Sequence, residues 1–141
     1  MKYAGRLEDI VIGDTESVTR VVRHEDLRKF AEAIDSHHPL HMDEAWARAN
    51  TQFDGGIVHG VMTAALVSRP IVNFLKRHQI ETVTIYVASK FIAPVRVGDS
   101  ITHQLTVAKI DTEKRRIIFS TRATNQAEVL VMVGEAHEQL I

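Results

Sequence analysis

The sequence contains no cysteine, which excludes disulfides, thiolate catalysis and Cys-type zinc centres. It has no excess of charge: 17 Lys and Arg stand against 18 Asp and Glu, for a net charge of −1. That balance gives no electrostatic footing for nucleic acid or an anionic membrane surface. Its apolar runs are too short to span a bilayer, which takes about twenty residues. The opening stretch, MKYAGRLEDIVIGD, lacks the apolar core of a signal peptide. A cytoplasmic protein is expected by default. Prolines number three, and no internal repeat, low-complexity tract or linker divides the chain. What remains is 45% hydrophobic and 25% charged, an ordinary globular composition. The length of 141 residues favours one domain over 1–141.

The apolar residues concentrate between Val58 and His78. Within it, VMTAALVSRPIVNFL has no acidic group and one interior charge, Arg69. A helix that is apolar on nearly every side is normally buried on every side. The stretch therefore predicts one helix enclosed by the rest of the domain, kinked at Pro70 and closed by the cations Lys76, Arg77 and His78.

Before that helix, residues 1–16 read as irregular, and Ser17 to Val22 as a short β-branched strand. Leu27, Phe30, Ala31 and Ile34 mark one face of an amphipathic helix, which should stop by His38 because Pro39 follows. Asp43 can cap a second helix, EAWARAN, packed through Ala45, Trp46 and Ala49. After the central helix come four strand-like runs, Thr82 to Phe91, Ser100 to Ile110, Arg115 to Thr124 and Val129 to Leu140. Val83, Ile85, Val87 and Phe91 share one face of the first. The corner Ala93 to Asp99 and two polar turns separate the runs, which predicts an antiparallel meander. A long helix against a curved antiparallel sheet is an α+β architecture.

Two stretches could carry chemistry. Asp35-Ser36-His37-His38-Pro39-Leu40-His41-Met42-Asp43 brings three histidines and carboxylates onto one loop, and histidine is the natural acid/base near neutral pH. His37, His38 and His41 could instead be metal ligands, though no recognised zinc spacing accompanies them. They could also be exposed loop residues, a reading that suits His37 better than His41. The second stretch, Ile57-Val58-His59-Gly60-Val61-Met62, opens the central helix. Its first-turn amides are unpaired and carry partial positive charge, and Gly60 admits a ligand close to that backbone. A thioester carbonyl placed there would meet an oxyanion hole. From the residues alone, close helix–sheet packing is the plainer role for Gly60.

The run Phe30-Ala31-Glu32, His38-Pro39-Leu40-His41-Met42-Asp43, Ala45, Phe53 and Ile57-Val58-His59-Gly60, followed by Lys90-Phe91, Ala93-Pro94-Val95 and Gly98-Asp99, resembles the MaoC-like hydratase/dehydratase family. That family includes (R)-specific enoyl-CoA hydratases, and the match keeps its order over roughly residues 15–140. The resemblance implies a hotdog fold, at least a homodimer, and an acyl-thioester tunnel at the subunit interface. It implies a water held between an aspartate and a histidine for addition to a 2-enoyl thioester. His41 falls on the family histidine and Gly60 on the glycine whose amide receives the thioester carbonyl. Ser68 falls on a serine of the acyl pocket, with His59 and Met62 also at the substrate. The family aspartate position is Ser36, with Asp35 one residue earlier and His38 in place of an asparagine. Asp35 or, less readily, Ser36 would then be the second acid/base, and His38 would orient the water or its partner.

The resemblance implies a lyase of acyl-CoA or acyl-carrier-protein thioesters in fatty acid metabolism. Coenzyme A or the carrier protein would be part of the substrate, and no metal or other cofactor is called for. A hotdog thioesterase is the second reading, and a non-catalytic acyl-thioester-binding subunit that has lost its acid is the third.

Overall fold

A computed structural model describes residues 4–141. After a 3₁₀ turn at Leu7–Asp9 the elements run β1 (Thr15–Val21), α1 (His24–Ile34), α2 (Pro39–Met42), α3 (Glu44–Asn50), α4 (Gly60–Ala65), α5 (Ser68–His78), β2 (Thr82–Phe91), β3 (Ser100–Asp111), β4 (Arg116–Thr124) and β5 (Leu130–Leu140). The strands form one five-stranded sheet in the order β1-β3-β4-β5-β2, every neighbouring pair antiparallel. The architecture is α+β, the hotdog arrangement that the resemblance implies.

The strands lie within two residues of their expected positions, because period-2 burial and polar turns mark them in the sequence. Ile101, His103, Leu105 and Val107 on β3, and Ile117, Phe119, Thr121 and Ala123 on β4, all point inward. The expected four-strand meander holds only for β3, β4 and β5. β2 pairs with β5 instead of β3, because residues 92–99 carry the chain across the sheet. That crossover is tied down by backbone bonds: Ile92 N to Val131 O, and Gly98 N to Val22 O, both 2.8 Å. Gly98 has φ +94, and the Asp99 carboxylate accepts from Arg96 N at 2.9 Å, so the Val97-Gly98-Asp99 turn is held locally.

The single central helix is in fact two. α4 ends at Ala65 and α5 begins at Ser68. Pro70 has no N–H for the Leu66 carbonyl, and its ring would collide with that carbonyl in a continuous helix. The turn before it tightens accordingly, with Val67 N bonding Ala64 O at 3.2 Å and Arg69 N bonding Leu66 O at 3.3 Å. Nor is the segment enclosed on all sides. Val67, Pro70, Ile71 and Phe74 are buried, whereas Val61 is 57% exposed and Val72 is also exposed, since the sheet covers one side only.

Two apolar clusters join helices to sheet. Val67, Ile71 and Phe74 pack on Leu105, Val107, Ile117, Phe119 and Ala136. The Phe74 and Phe119 rings meet edge to face at 5.0 Å, each burial contributing about 1.5–3 kcal/mol. Val58 and Met62 pack with Val22, Leu27, Val95, Ile101, Ala123, Val131 and Met132, which seats the head of α4 against the corner after β2. α1 buries Leu27 and Ala31 as expected, but Ile34 is exposed. In α3 it is Ala47 that is buried, while Ala45 and Ala49 face outward.

Candidate active site

The histidine loop is built by two caps. Asp35 ends α1 in the left-handed region, φ 54, which reverses the chain so that Ser36 N reaches Ala31 O at 2.9 Å. His38 then caps α2, its Nδ1 accepting from Leu40 N at 3.1 Å, with Pro39 at the first helical position where its missing N–H costs nothing. α2 places His41 one turn on, and Asp43 caps α3 by accepting from Trp46 N at 2.9 Å.

His41 is partly buried, and its Nδ1 lies 2.8 Å from the Ile57 carbonyl. A carbonyl only accepts, so Nδ1 carries the proton and the neutral ring has its lone pair on Nε2. Burial pushes the His41 pKa down, opposed by the Ile57 hydrogen bond and assisted by charge on His59 and His38. A neutral imidazole with one free lone pair is the form a general base needs.

His59 is 2% exposed, and its ring stacks on that of His41 with centroids 3.9 Å apart and planes 25° apart. Its Nε2 lies 3.0 Å from the Ser36 carbonyl, so it ties the loop to the head of α4. Gly60 follows at the first position of α4. His59 provides no side-chain cap, and the Gly60 and Val61 amides meet no acceptor among the described residues. A pocket of about 480 Å³ opens there, with Ile57, Gly60, Thr63, Phe91, Val95 and Val131 in its wall. A Cβ on Gly60 would stand 3.0–3.1 Å from the Phe91 ring, so the glycine lets that wall approach without displacing the ring.

The structure thus brings His41, His59 and Gly60 together and distributes the other sequence-derived residues around them. Ser36 is partly buried and joined through its carbonyl; Asp35 is exposed, its carboxylate without a hydrogen bond among the described residues. His38 is exposed, with its ring centroid 6.3 Å from that of His41 and 5.6 Å from that of Trp46. His59 and Met62 are buried and stand behind the pocket rather than in its wall, because both side chains turn toward the core. Ser68 is exposed at the start of α5, also outside that wall. Among the described residues no three His, Asp or Glu are arranged to hold a metal ion, and no helix is long and apolar enough to cross a membrane. Sequence reasoning missed the histidine stack and the Ile57 carbonyl. The His-Pro start of α2 was the available signal for the turn that aims His41 at that carbonyl.

A profile of the family described as MaoC like domain matches residues 13–129. The chain belongs to the MaoC-like family. This MaoC-like chain is 34% identical to an (R)-specific enoyl-CoA hydratase of Rhodospirillum rubrum, over 92% of its own length and 87% of that protein's. It is also 34% identical to a 3-hydroxybutyryl-CoA dehydratase of Methylorubrum extorquens, over 92% and 80%. Its fold superposes on an (R)-hydratase of Aeromonas caviae with a TM-score of 0.85 at 26% identity, covering 95% of this chain and 99% of that one.

Proposed function

We propose that the chain is an acyl-thioester lyase that hydrates 2-enoyl thioesters and, in reverse, dehydrates 3-hydroxyacyl thioesters. The observation that carries this is the fixed tautomer of His41, its Nδ1 held by the carbonyl of Ile57, itself in the wall of a pocket that begins at uncapped helix amides. The thioester carbonyl sits on the Gly60 amide, which stabilises the enolate as it forms. His41 Nε2 takes a proton from water as the hydroxide adds to C3. His41 passes that proton on to C2, and the Asp35 carboxylate, which no described group engages, turns inward to hold the water and steady the imidazolium in between, so one water is added and both groups are restored. The Ser36 hydroxyl does not ionise near neutral pH without an activating partner and takes no proton in this scheme. Coenzyme A or an acyl carrier protein is carried as part of the substrate.

The site is completed in a homodimer. β2 is an edge strand whose Val83, Ile85, Tyr86, Val87 and Phe91 are all exposed, a row that a monomer would leave as an open template for pairing. Phe91 belongs both to this edge and to the pocket wall, so a second copy seated there would narrow the pocket mouth.

The test is turnover of crotonyl-CoA, followed at the enoyl-thioester absorbance with free thiol titrated in parallel. Loss of absorbance without thiol supports the lyase. Thiol release would make the chain a thioesterase, and neither signal across short and long acyl chains would leave a binding subunit.

A further inference from the structure

One hydrogen bond does not fix an imidazole. The bond from His41 Nδ1 to the Ile57 carbonyl at 2.8 Å sets the tautomer but leaves the ring free to swing about the N–H···O line. The ring of His59 removes that freedom. It lies against His41 at 3.9 Å and 25°, backed on its own side by the edge of Phe30 at 5.5 Å and 65°. His59 cannot move away, being buried and bonded through Nε2–H to the Ser36 carbonyl at 3.0 Å. Its Nδ1 is buried with no partner among the described residues. A group that served packing alone would do better as phenylalanine, since a buried nitrogen without a partner is unfavourable. The nitrogen that is used points to the loop, and the ring face points to His41.

We propose that His59 is the positioning residue of the site, a fixed plate that sets the plane of the His41 ring and ties Ser36 to the head of α4. The chain makes this economical: Ile57 supplies the carbonyl that selects the His41 tautomer, His59 the plate, and Gly60 the amide that faces the pocket. One short segment therefore sets the distance from the His41 lone pair to the thioester carbonyl. Ile57 N bonds Leu40 O at 3.2 Å, which fastens the same segment to the residue before His41. The inference rests on the reading of His41 as the acid/base, and part of its test does not depend on that reading.

Two variants divide the functions of His59. His59→Phe keeps the plate and loses the donor to Ser36; His59→Gln keeps an amide donor and loses the plate. Ring ¹⁵N spectra of His41 across pH are recorded for the wild type and both variants, beside kcat and KM on crotonyl-CoA. The wild type should show the Nδ1–H form of His41. His59→Gln should keep the Nδ1–H form, shift and broaden the His41 ring signals as the ring swings, and lower kcat about tenfold to a hundredfold, the range seen when a group that orients another is removed, with KM within about twofold. His59→Phe should keep the His41 ring signals and, having lost the tie to Ser36, lower kcat by less than His59→Gln does. Should His59→Gln fail to fold, His59→Met, which fills the volume without a flat ring, takes its place.

A His59→Gln protein, or His59→Met in its place, with wild-type His41 ring signals and kcat would overturn the proposal. An inactive wild type whose spectra follow the expected pattern would refute the lyase and leave the positioning role standing.

Discussion

His103 donates from Nε2 to the carbonyl of Thr63 at 2.7 Å, across the break between α4 and α5. Because Pro70 forces the preceding turn to tighten, Val67 N bonds Ala64 O and Thr63 O is left without a helical donor. β3 supplies one from its inward face, where an imidazole is otherwise out of place among Ile101, Leu105 and Val107. A histidine on a buried strand face and a proline in a helix are therefore one device.

Replacing His103 by leucine should leave the Thr63 carbonyl buried and unsatisfied. The expected cost is about 1–3 kcal/mol, read as a lower urea midpoint with an unchanged slope. A midpoint equal to wild type would show that Thr63 finds another donor.

Acid should destabilise the fold through these same rings. Burial holds both His41 and His103 below the ordinary imidazole value, which is about 6.5. With folded values below unfolded ones, the unfolded chain binds protons first as pH falls. Their contribution is thus complete above about pH 6.5 and is lost below it as pH falls through the folded values. Urea titrations from neutral pH downward should show this loss, and it should be smaller in His103→Leu. An equal slope in both proteins would contradict it.

Gly60→Ala should impair turnover more than stability. The added methyl meets the Phe91 ring at 3.0–3.1 Å, and that ring is exposed and can yield. Its displacement disturbs the pocket wall where the carbonyl is to dock. We expect kcat/KM to fall at least about tenfold, short of the 10²–10³ for deleting an oxyanion donor, with thermal stability changed by a few degrees at most.

Val87→Glu places a charge on the exposed β2 edge, which should prevent pairing with a second copy. Sedimentation should give a dimer for the wild type and a monomer for the variant. A wild-type monomer would remove β2 from the account.

The strands were legible in the sequence because alternation with polar turns is a local signal, and the caps at Asp43 and before Pro39 were local too. The order of the strands was not. β2 pairs with β5 through a crossover that no periodicity records. The break at Leu66-Val67 was hidden because proline marks a disturbance without saying on which side the helix gives way. His41 and Gly60 lay in the two stretches that residue type singled out, and the family resemblance named their roles, whereas the stack of His59 on His41 joins residues on separate elements. The exposed position of Asp35 follows from a left-handed turn that residue type does not dictate.

The measurement that tests the central claim most directly is crotonyl-CoA turnover by wild type, His41→Ala and Asp35→Asn, with absorbance and free thiol read together. The account predicts loss of absorbance without thiol in the wild type, reduced about 10²–10⁴-fold in each variant. Turnover that survives His41→Ala undiminished, or thiol released in step with absorbance, would contradict it.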